Sequence, residues 1–512
     1  MKDFLMRHKR AICILAPACL GLLYMILCFV NMRQSIWFDE SFSVYITRFD
    51  FAKMWSLTAE DVHPPLFYII LKIWAHFFGR TDFALRSLAT IFGAVTILFV
   101  FLLVKYKYGK RAAILSSFLL SISPIFIRYG EEMRMYTLMT AIIFAATYFM
   151  HLAIDNRKRK WWVIYGILVA LGMWTHYFTA LAWLAHLIYL LRIFGKKFFS
   201  QKIFLCYVLA IVLYLPWIPS LLTQFHAVQG GFWIGEVSAG TLMDYWTEAT
   251  LYQKAYKTNN WCLILSILES VMVLAVFIKT HKKAKLLSLL ALVPVGTLVL
   301  LSMPPLKPMF VSRYVICSMI CAAALIPGVA SVCLMNSTNS KRKQKKFAKQ
   351  KKYALAFGAL SSVIVCSVVG ISTLYTGGNV NLSNGRRPSA RELYEAVAEL
   401  DNELPIVCSG TELYYDMAFY SGTQNKVYFT HDVVDDYSMG SLHPLRDTYF
   451  GRINDKEAFI NEHERIWYVS NEKTEEEPAP FGDSYRVSNY YDLQVYNNGD
   501  KYRVYLFERA KS

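Results

Sequence analysis

Long apolar runs separated by short polar segments dominate the first three quarters of the chain. The runs lie near 11–30, 83–104, 112–127, 136–154, 161–180, 178–194, 203–221, 261–278, 286–303, 313–335 and 353–375. Each is long enough, or nearly so, to cross about 30 Å of hydrocarbon as a helix. The pattern therefore predicts an all-α polytopic membrane domain of about eleven transmembrane helices, covering residues 1–375.

Clusters of basic residues predict how these helices are oriented. Six segments hold 28 of the 54 Lys and Arg residues, with only two of the 37 acids in or beside them: 2–10, 105–111, 157–160, 192–202, 279–285 and 341–352. Basic loops are retained on the cytoplasmic side of a membrane. Placing all six there requires eleven spans, a cytoplasmic N-terminus and an external C-terminus. We expect a multi-pass protein of the cell (plasma) membrane.

One apolar segment, 66–79, does not fit the span count. Its 14 residues would extend only about 21 Å as a helix. Counting it as a full span would put the basic segment 105–111 outside and invert every later helix. We therefore predict a juxtamembrane helix that lies in the interface on the outer face.

The composition changes from residue 376 onward, where 23 acids face 14 Lys and Arg. Turn-forming residues at 377–379 and 384–388 predict a linker. Helical patterns at 390–400 and 412–420 then alternate with apolar strand patterns at 405–408, 426–429, 465–469 and 501–507. Such alternation is typical of a small α/β domain, so we predict that residues 376–512 form one on the extracytoplasmic side.

Composition supports a membrane protein over the soluble classes. The chain is 55% hydrophobic and 18% charged, whereas soluble domains carry about 25% charged residues. The net charge of +17 could indicate nucleic-acid binding, but the basic residues flank the predicted spans and no nucleic-acid-binding motif accompanies them. The expected partner of this charge is the anionic lipid bilayer, and no nucleic acid.

Residues with catalytic or binding chemistry concentrate in the predicted outer loops. They are Asp39 and Glu40 in WFDES, His63 in EDVHPP, Arg128, Tyr129, Glu131, Glu132, Arg134 and Tyr136 in SPIFIRYGEEMRMY, His176 in THYF, and Lys307, Arg313 and Tyr314 in PPLKPMFVSRY. Ion pairs at i,i+3 and i,i+4 spacing within 128–134 are the simpler explanation of the second loop. Likewise, His63 alone is typical of a hydrogen-bonded structural histidine, and adjacent acids beside a span can be boundary polarity.

The order of these segments resembles a known family. WFDES, HPPLFYIILKIW, RTDFALRSLATIFGAV, SPIFIRYGEEMRMYTL, THYF and SRYVI follow one another as in membrane glycosyltransferases of the GT-C fold. The branch they resemble is glycosyltransferase family 39-like and contains protein O-mannosyltransferases, bacterial aminoarabinose transferases and lipopolysaccharide core sugar transferases of rhizobia. The resemblance is strongest over residues 30–180, and the final 137 residues carry no diagnostic motif.

The resemblance implies transfer of a sugar from a polyprenyl-phosphate donor to an extracytoplasmic acceptor, which is an envelope glycan, a lipid or a protein. It makes Asp39 the catalytic base, with Glu40 beside it. Phosphate of the donor would be held by arginines, whose forked donors fit phosphate oxygens. The candidates are Arg128, Arg134 and Arg313, with Lys307 in addition.

His63 would orient donor or acceptor by the same resemblance, and Glu131 or Glu132 occupies the second acidic position. Tyr129, Tyr136, His176 and Tyr314 complete the predicted substrate-binding set. A donor with one phosphate does not oblige the enzyme to use a metal. No cofactor is therefore required, and the sequence leaves a divalent cation open.

Two other classes of protein remain alternatives at this point. A transporter or flippase of lipid-linked sugars would also have many spans, but its polar residues would recur near the bilayer midplane. Here the polar residues concentrate at one face. A non-catalytic scaffold that presents the acidic exported domain would make Asp39 and Glu40 dispensable.

Overall fold

The computed structural model describes residues 2–30, 32, 34–229, 234–254, 258–282, 284–336, 345–376, 390–422, 426–430, 451–470, 478–494 and 501–510. Within these residues the chain is mostly helical and has a small sheet near its C-terminus, as the sequence predicts. The predicted linker at 377–379 and 384–388 and the first part of the basic run 341–352 lie outside the described residues.

The helices of the membrane domain follow one another with short connections. They are α1 (Lys2–Val30), α2 (Phe38–Ile46), α3 (Phe51–Glu60), α4 (Leu66–Phe78), α5 (Asp82–Tyr108), α6 (Lys110–Ser121), α7 (Pro124–Gly130), α8 (Tyr136–Asn156), α9 (Arg159–Thr175), α10 (Thr179–Phe194), α11 (Lys197–Ser200), α12 (Leu205–Tyr214), α13 (Ile218–Gln229), α14 (Ala239–Leu251), α15 (Asn260–Thr280), α16 (Lys285–Leu301), α17 (Ile316–Ile320), α18 (Ile326–Asn336) and α19 (Lys345–Tyr375).

Each predicted apolar run coincides with one of these helices or with consecutive helices. In the described part of the chain, six helical segments are long and apolar enough to cross a membrane, or seven if the bent pair α6–α7 is one span. Four shorter apolar helices, Ile14–Val30, Leu66–Phe78, Thr179–Phe194 and Lys285–Leu301, accompany them. The chain is thus a multi-pass membrane protein, while the count of eleven spans and the interfacial position of α4 stay predictions.

The span predicted at 112–127 is broken, and the break shapes the interior. α6 and α7 meet at an angle of 64°, because Pro124 begins α7 and lacks the N–H that would continue α6. α7 ends at Gly130, where a Cβ atom would overlap the Tyr24 hydroxyl of α1. This close approach lets α7 lie against α1 and carries Arg128 into the interior, where it is 1% exposed.

The described residues between 390 and 510 form helices and strands of the predicted α/β type, while the domain boundary at 376 stays a prediction. These helices and strands are α20 (Ala390–Leu400), β1 (Ile406–Cys408), α21 (Thr411–Tyr420), β2 (Val427–Phe429), α22 (Lys456–Glu462), β3 (Arg465–Ser470), β4 (Tyr485–Gln494) and β5 (Lys501–Arg509). The sheet has the order β2-β1-β3-β5-β4, in which β1 is parallel to β2 and β3 while β5 is antiparallel to β3 and β4. The prediction missed β4 and α22.

The α/β domain packs on the first loop of the membrane domain. Helix α21 lies against α2, where Ser41 Oγ donates a hydrogen bond of 2.5 Å to Asp416 Oδ1. The Tyr415 ring contacts the rings of Phe42 and Tyr45 at centroid distances of 5.7 and 4.9 Å. The C-terminal domain therefore covers one side of the helix that carries Asp39.

The orientation predicted from the basic clusters can be tested by labelling. A single cysteine within 341–352 is expected to react only with permeant reagents, and one within 390–510 with impermeant reagents added outside. The positive-inside bias is the physical reason. Labelling of both positions from the same side would contradict the eleven-span arrangement and the interfacial position of α4.

Candidate active site

The two acids of WFDES face different surroundings, although both lie in the first turn of α2. Glu40 is fully buried and forms a two-pronged ion pair with Arg86 of α5, at 2.8 Å from Nε and 2.6 Å from Nη2. It also accepts a hydrogen bond of 3.1 Å from the Met133 N–H. Arg86 in turn donates to the carbonyls of Met32, Gln34 and Ser35. This geometry favours a positioning role for Glu40.

Asp39, in contrast, lies next to Arg313. Its side chain is 15% exposed, and Oδ2 lies 3.6 Å from Nη2 of Arg313. The Arg313 guanidinium also lies 5.9 Å from the centroid of the Trp37 ring and 6.0 Å from that of Tyr314. At 3.6 Å the two charges attract each other without forming a short hydrogen bond. Asp39 therefore combines partial access with a nearby cation.

Arg134 holds the start of α2 from the side of the second loop. Its Nη1 donates to the Asp39 carbonyl at 3.1 Å, to Ser43 Oγ at 2.9 Å and to the Tyr68 hydroxyl at 3.4 Å. These contacts join the loop between α7 and α8 to α2. Of the three predicted phosphate-binding arginines, Arg134 thus makes the contacts of a residue that positions Asp39.

His63 belongs to the same network. Its Nδ1 lies 3.2 Å from Asp61 Oδ2, which also accepts from the Tyr68 hydroxyl at 3.2 Å, and its Nε2 lies 3.5 Å from Arg134 Nη2. Burial lowers the pKa of His63, although Asp61 opposes the shift. A neutral His63 would donate from Nδ1 to Asp61 and present Nε2 as an acceptor to Arg134.

Four buried donors around Asp39 and Arg313 make no hydrogen bond with any described residue. They are Trp37 Nε1, the Tyr129 and Tyr136 hydroxyls and His176 Nε2. His176 Nδ1 accepts from the Phe178 N–H at 3.3 Å, which assigns its proton to Nε2. Its ring lies 5.1 Å from that of Tyr314. Buried polar groups normally have partners, so this concentration is typical of a binding site.

Arg128 and Glu132 form the i,i+4 pair that the sequence predicts, at 2.9 Å from Nη1 to Oε2. Both are almost fully buried, and the contact lacks hydrogen-bond geometry. Burial raises the pKa of Glu132 against the opposing effect of Arg128. Glu131 is buried as well, and its electrostatic neighbours include Tyr24 and Cys28 of α1. Arg128 and Glu132 therefore satisfy each other only in part.

Sequence reasoning missed a further acid, Glu248 of α14. It is 4% exposed, accepts a hydrogen bond from the Ser312 hydroxyl, and has Tyr129 and Arg313 as electrostatic neighbours. Burial raises its pKa from the ordinary 4.5 to about 7, although Ser312 and Lys254 oppose the shift. No motif marks it, because it lies on a helix between two predicted spans.

Glu248 gives the stability of the protein a specific pH dependence. With a raised pKa, the folded protein keeps a proton between pH 4.5 and 7 that the unfolded chain has released. The free energy of unfolding therefore falls as the pH rises through this range, by up to about 1.4 kcal/mol per pH unit. We expect Glu248→Gln to flatten the decline in Tm between pH 5 and 7. Parallel Tm profiles of variant and wild type would contradict this.

Most of the predicted site residues lie in one cluster at the N-terminus of α2. The members, joined by the contacts above, are Asp39, His63, Arg128, Tyr129, Glu132, Arg134, Tyr136, His176, Arg313 and Tyr314. Glu40 and Glu131 lie buried beside it. Lys307 is exposed in the loop before Arg313. Among the described residues no group of three or more His, Cys, Asp or Glu is placed to hold a metal ion.

Comparison with known proteins identifies proteins that are similar in part of the sequence or in the fold. Residues 62–219 match the family model described as dolichyl-phosphate-mannose-protein mannosyltransferase. The chain is 28% identical over 109 residues to YkcB of Bacillus subtilis (strain 168), provisionally described as a mannosyltransferase. That alignment covers 21% of this chain and 15% of YkcB.

Two solved structures share the fold over nearly the whole chain. ArnT from Cupriavidus metallidurans bound to undecaprenyl phosphate has a TM-score of 0.61 and 11% identity, covering 97% of this chain and 98% of ArnT. The oligosaccharyltransferase AglB from Archaeoglobus fulgidus, in complex with an inhibitory peptide and a dolichol-phosphate, has a TM-score of 0.50 and 12% identity. The second alignment covers 98% of this chain and 74% of AglB. At these identities the likeness concerns the fold.

Proposed function

We propose that this chain, a GT-C-fold membrane protein similar to glycosyltransferase family 39, transfers a sugar from a polyprenyl-phosphate donor to an extracytoplasmic acceptor. The acceptor is an envelope glycan, a lipid or a protein. The observation that carries the proposal is the approach of Asp39 to Arg313, at 3.6 Å, within a cluster of buried donors. A base beside a phosphate-binding cation is the pair that such a transfer requires.

Asp39 is the proposed general base. The acceptor hydroxyl attacks the anomeric carbon while its proton passes to the Asp39 carboxylate, and the bond between that carbon and the phosphate oxygen breaks. One direct displacement of this kind inverts the anomeric configuration. Because Arg134 fixes the Asp39 carbonyl and Arg86 fixes Glu40, the backbone that carries the Asp39 carboxylate is held in place before the substrate binds, which favours efficient proton transfer.

Arg313 is the proposed partner of the leaving group. Negative charge grows on the phosphate as the bond breaks, and a guanidinium donates two hydrogen bonds to phosphate oxygens. Uncharged donors, the hydroxyls of Tyr129 and Tyr136 and Nε2 of His176, are buried nearby. Donors fixed in a buried site stabilise developing charge at low reorganisation cost.

An apolar cavity of about 450 Å³ offers a path for the lipid chain. It lies between α14, α15, α16 and the residues before α18, and its lining includes Tyr245, Ala249, Leu274 and Leu292. Glu248 precedes Ala249 on α14 and contacts Ser312, the neighbour of Arg313. A polyprenyl chain in this cavity would therefore have its phosphate near the cluster.

The decisive experiment follows the fate of a donor labelled in its sugar. Purified protein in detergent, given polyprenyl-phosphate sugars and a crude envelope acceptor, is expected to release free polyprenyl phosphate and to label the acceptor. A screen of donor sugars would identify the one used. Movement of intact lipid-linked sugar across liposomes without cleavage would overturn the proposal and support a transporter.

A further inference from the structure

A polar cleft lies at the end of α2 opposite to Asp39. It has a volume of about 560 Å³ and lies between the start of α3 and the last turns of α4. Its lining residues are Phe51, Lys72, Ile73, Ala75, His76, Phe77 and Arg80. Two of these are cations and none is an acid. The function proposed above uses none of them.

Lys72 and Arg80 meet at the C-terminus of α2. Lys72 Nζ donates to the carbonyls of Thr47 at 3.0 Å and Phe49 at 2.5 Å. Arg80 donates to Thr47 Oγ1 at 3.1 Å and to the Thr47 carbonyl at 3.2 Å. Since both bind the same carbonyl oxygen, the two positive charges lie side by side. Capping of α2 is the simpler explanation, but it uses two of the three Lys72 protons and two of the five Arg80 protons.

Among the described residues, the acids near this cleft do not balance its positive charge. Burial and the positive charge of Arg48 lower the pKa of Arg80, and burial and Arg80 lower that of Lys72. Asp50 opposes the shift of Lys72, and its carboxylate also accepts from the Lys53 N–H as the N-cap of α3. Three cations with one acid leave an excess of positive charge that an anion would neutralise.

Exposed apolar side chains lie beside these cations on α3 and α4. Phe77 is 74% exposed, Phe78 58%, Phe51 54% and Ile73 46%. Exposing several neighbouring apolar side chains to water is unfavourable in free energy, whereas contact with lipid stabilises them. They belong to α4 and the start of α3, and α4 is the helix predicted to lie in the membrane interface. Basic residues next to apolar ones are typical of segments that bind anionic lipid surfaces.

We propose that this cleft binds the phosphate of an anionic lipid headgroup. Lys72 and Arg80 would contact the phosphate oxygens with the protons that α2 does not use, and Phe77, Phe78 and Ile73 would contact the acyl chains. A phosphodiester carries one negative charge, which complements the excess charge of the cleft. The site differs from the proposed donor site, because it lies at the opposite end of α2.

The test measures lipid binding by the full chain in phosphatidylcholine nanodiscs that contain increasing fractions of phosphatidylglycerol. Native mass spectrometry counts retained phosphatidylglycerol, and Tm reports the stabilisation. Each basic residue near an anionic lipid contributes roughly five-fold in affinity, so Lys72→Gln with Arg80→Gln should weaken retention about 25-fold. Arg465→Gln with Arg486→Gln removes the same charge from two exposed arginines on β3 and β4, and this matched pair should leave the binding unchanged.

A second variant separates lipid binding from the capping of α2. Phe77→Ser touches no α2 carbonyl, and it is expected to reduce retention of phosphatidylglycerol while Tm in pure phosphatidylcholine stays unchanged. Equal retention by the wild type, the Lys72 and Arg80 variant and the control pair would overturn the proposal. A rise in Tm with inorganic phosphate alone that equals the rise with phosphatidylglycerol would also overturn the proposal, since the ligand would then be a free anion.

Discussion

Asp39→Asn is expected to lower sugar transfer by about 10²–10⁴-fold, the usual effect of losing a general base. The amide keeps the size and most hydrogen bonds of the carboxylate but cannot take the acceptor proton. Because Asp39 is partly exposed and its carbonyl contact to Arg134 is made by the main chain, the variant should fold and insert normally. Release of polyprenyl phosphate from a labelled donor is the measurement, with Tm as the check on folding.

Glu40→Gln is the informative comparison, since it also replaces a carboxylate by an amide of the same size, at the next residue. It leaves the charge of Arg86 buried without a counter-charge, which typically costs about 3–5 kcal/mol. A large fall in Tm is therefore expected here, and Asp455→Asn should change neither property because Asn also caps helix α22. Transfer by Asp39→Asn within a few-fold of wild type would exclude Asp39 as the base.

The sequence predicts the helices well because membrane spans are long and uniform. Apolar length alone locates α5, α8 and α15, since no other structure satisfies backbone groups in lipid. It does not locate the break before Pro124, where the apolar pattern continues through the bend. Strand β4 escaped prediction because YRVSNYYDLQ contains Asn and Asp, which are rare in strands. The sheet is completed there by pairing with β5, a long-range contact that local pattern does not reveal.

The structure brings most of the predicted site residues together, but the sequence did not reveal which of them contact each other. The outer-loop motifs contain Asp39, Arg313 and most residues of the cluster, and the roles of these residues stay predictions. Adjacency in WFDES suggested that Glu40 acts beside Asp39, whereas a helical turn directs the two side chains apart. An arginine inside an apolar span needs a partner, so Arg86 was a signal for the Glu40 pair. Glu248 and Asp416 reach α2 or the cluster only through tertiary packing.

Arg313→Lys is expected to reduce transfer by about 10²-fold while the free energy of unfolding changes little. Lysine keeps the charge that faces Asp39, but it loses the fork that binds two phosphate oxygens at once. Removing one well-placed donor to developing charge costs roughly 10²–10³-fold in kcat. The interaction strengthens in the transition state, so kcat should fall more than KM for the donor rises. Initial rates over a range of donor concentration separate the two.

Arg128→Lys should lower Tm more than it lowers turnover, because Arg128 is buried against Glu132. Arg128→Ala should destabilise the protein. Glu132→Ala should do so too if the ion pair stabilises the fold and takes no part in binding the substrate. Arg192→Lys, at an exposed position, is the matched control and should retain full activity. If Arg313→Lys behaves like Arg192→Lys while Arg128→Lys loses turnover at unchanged Tm, the leaving phosphate is held by Arg128, and Arg313 serves to neutralise Asp39.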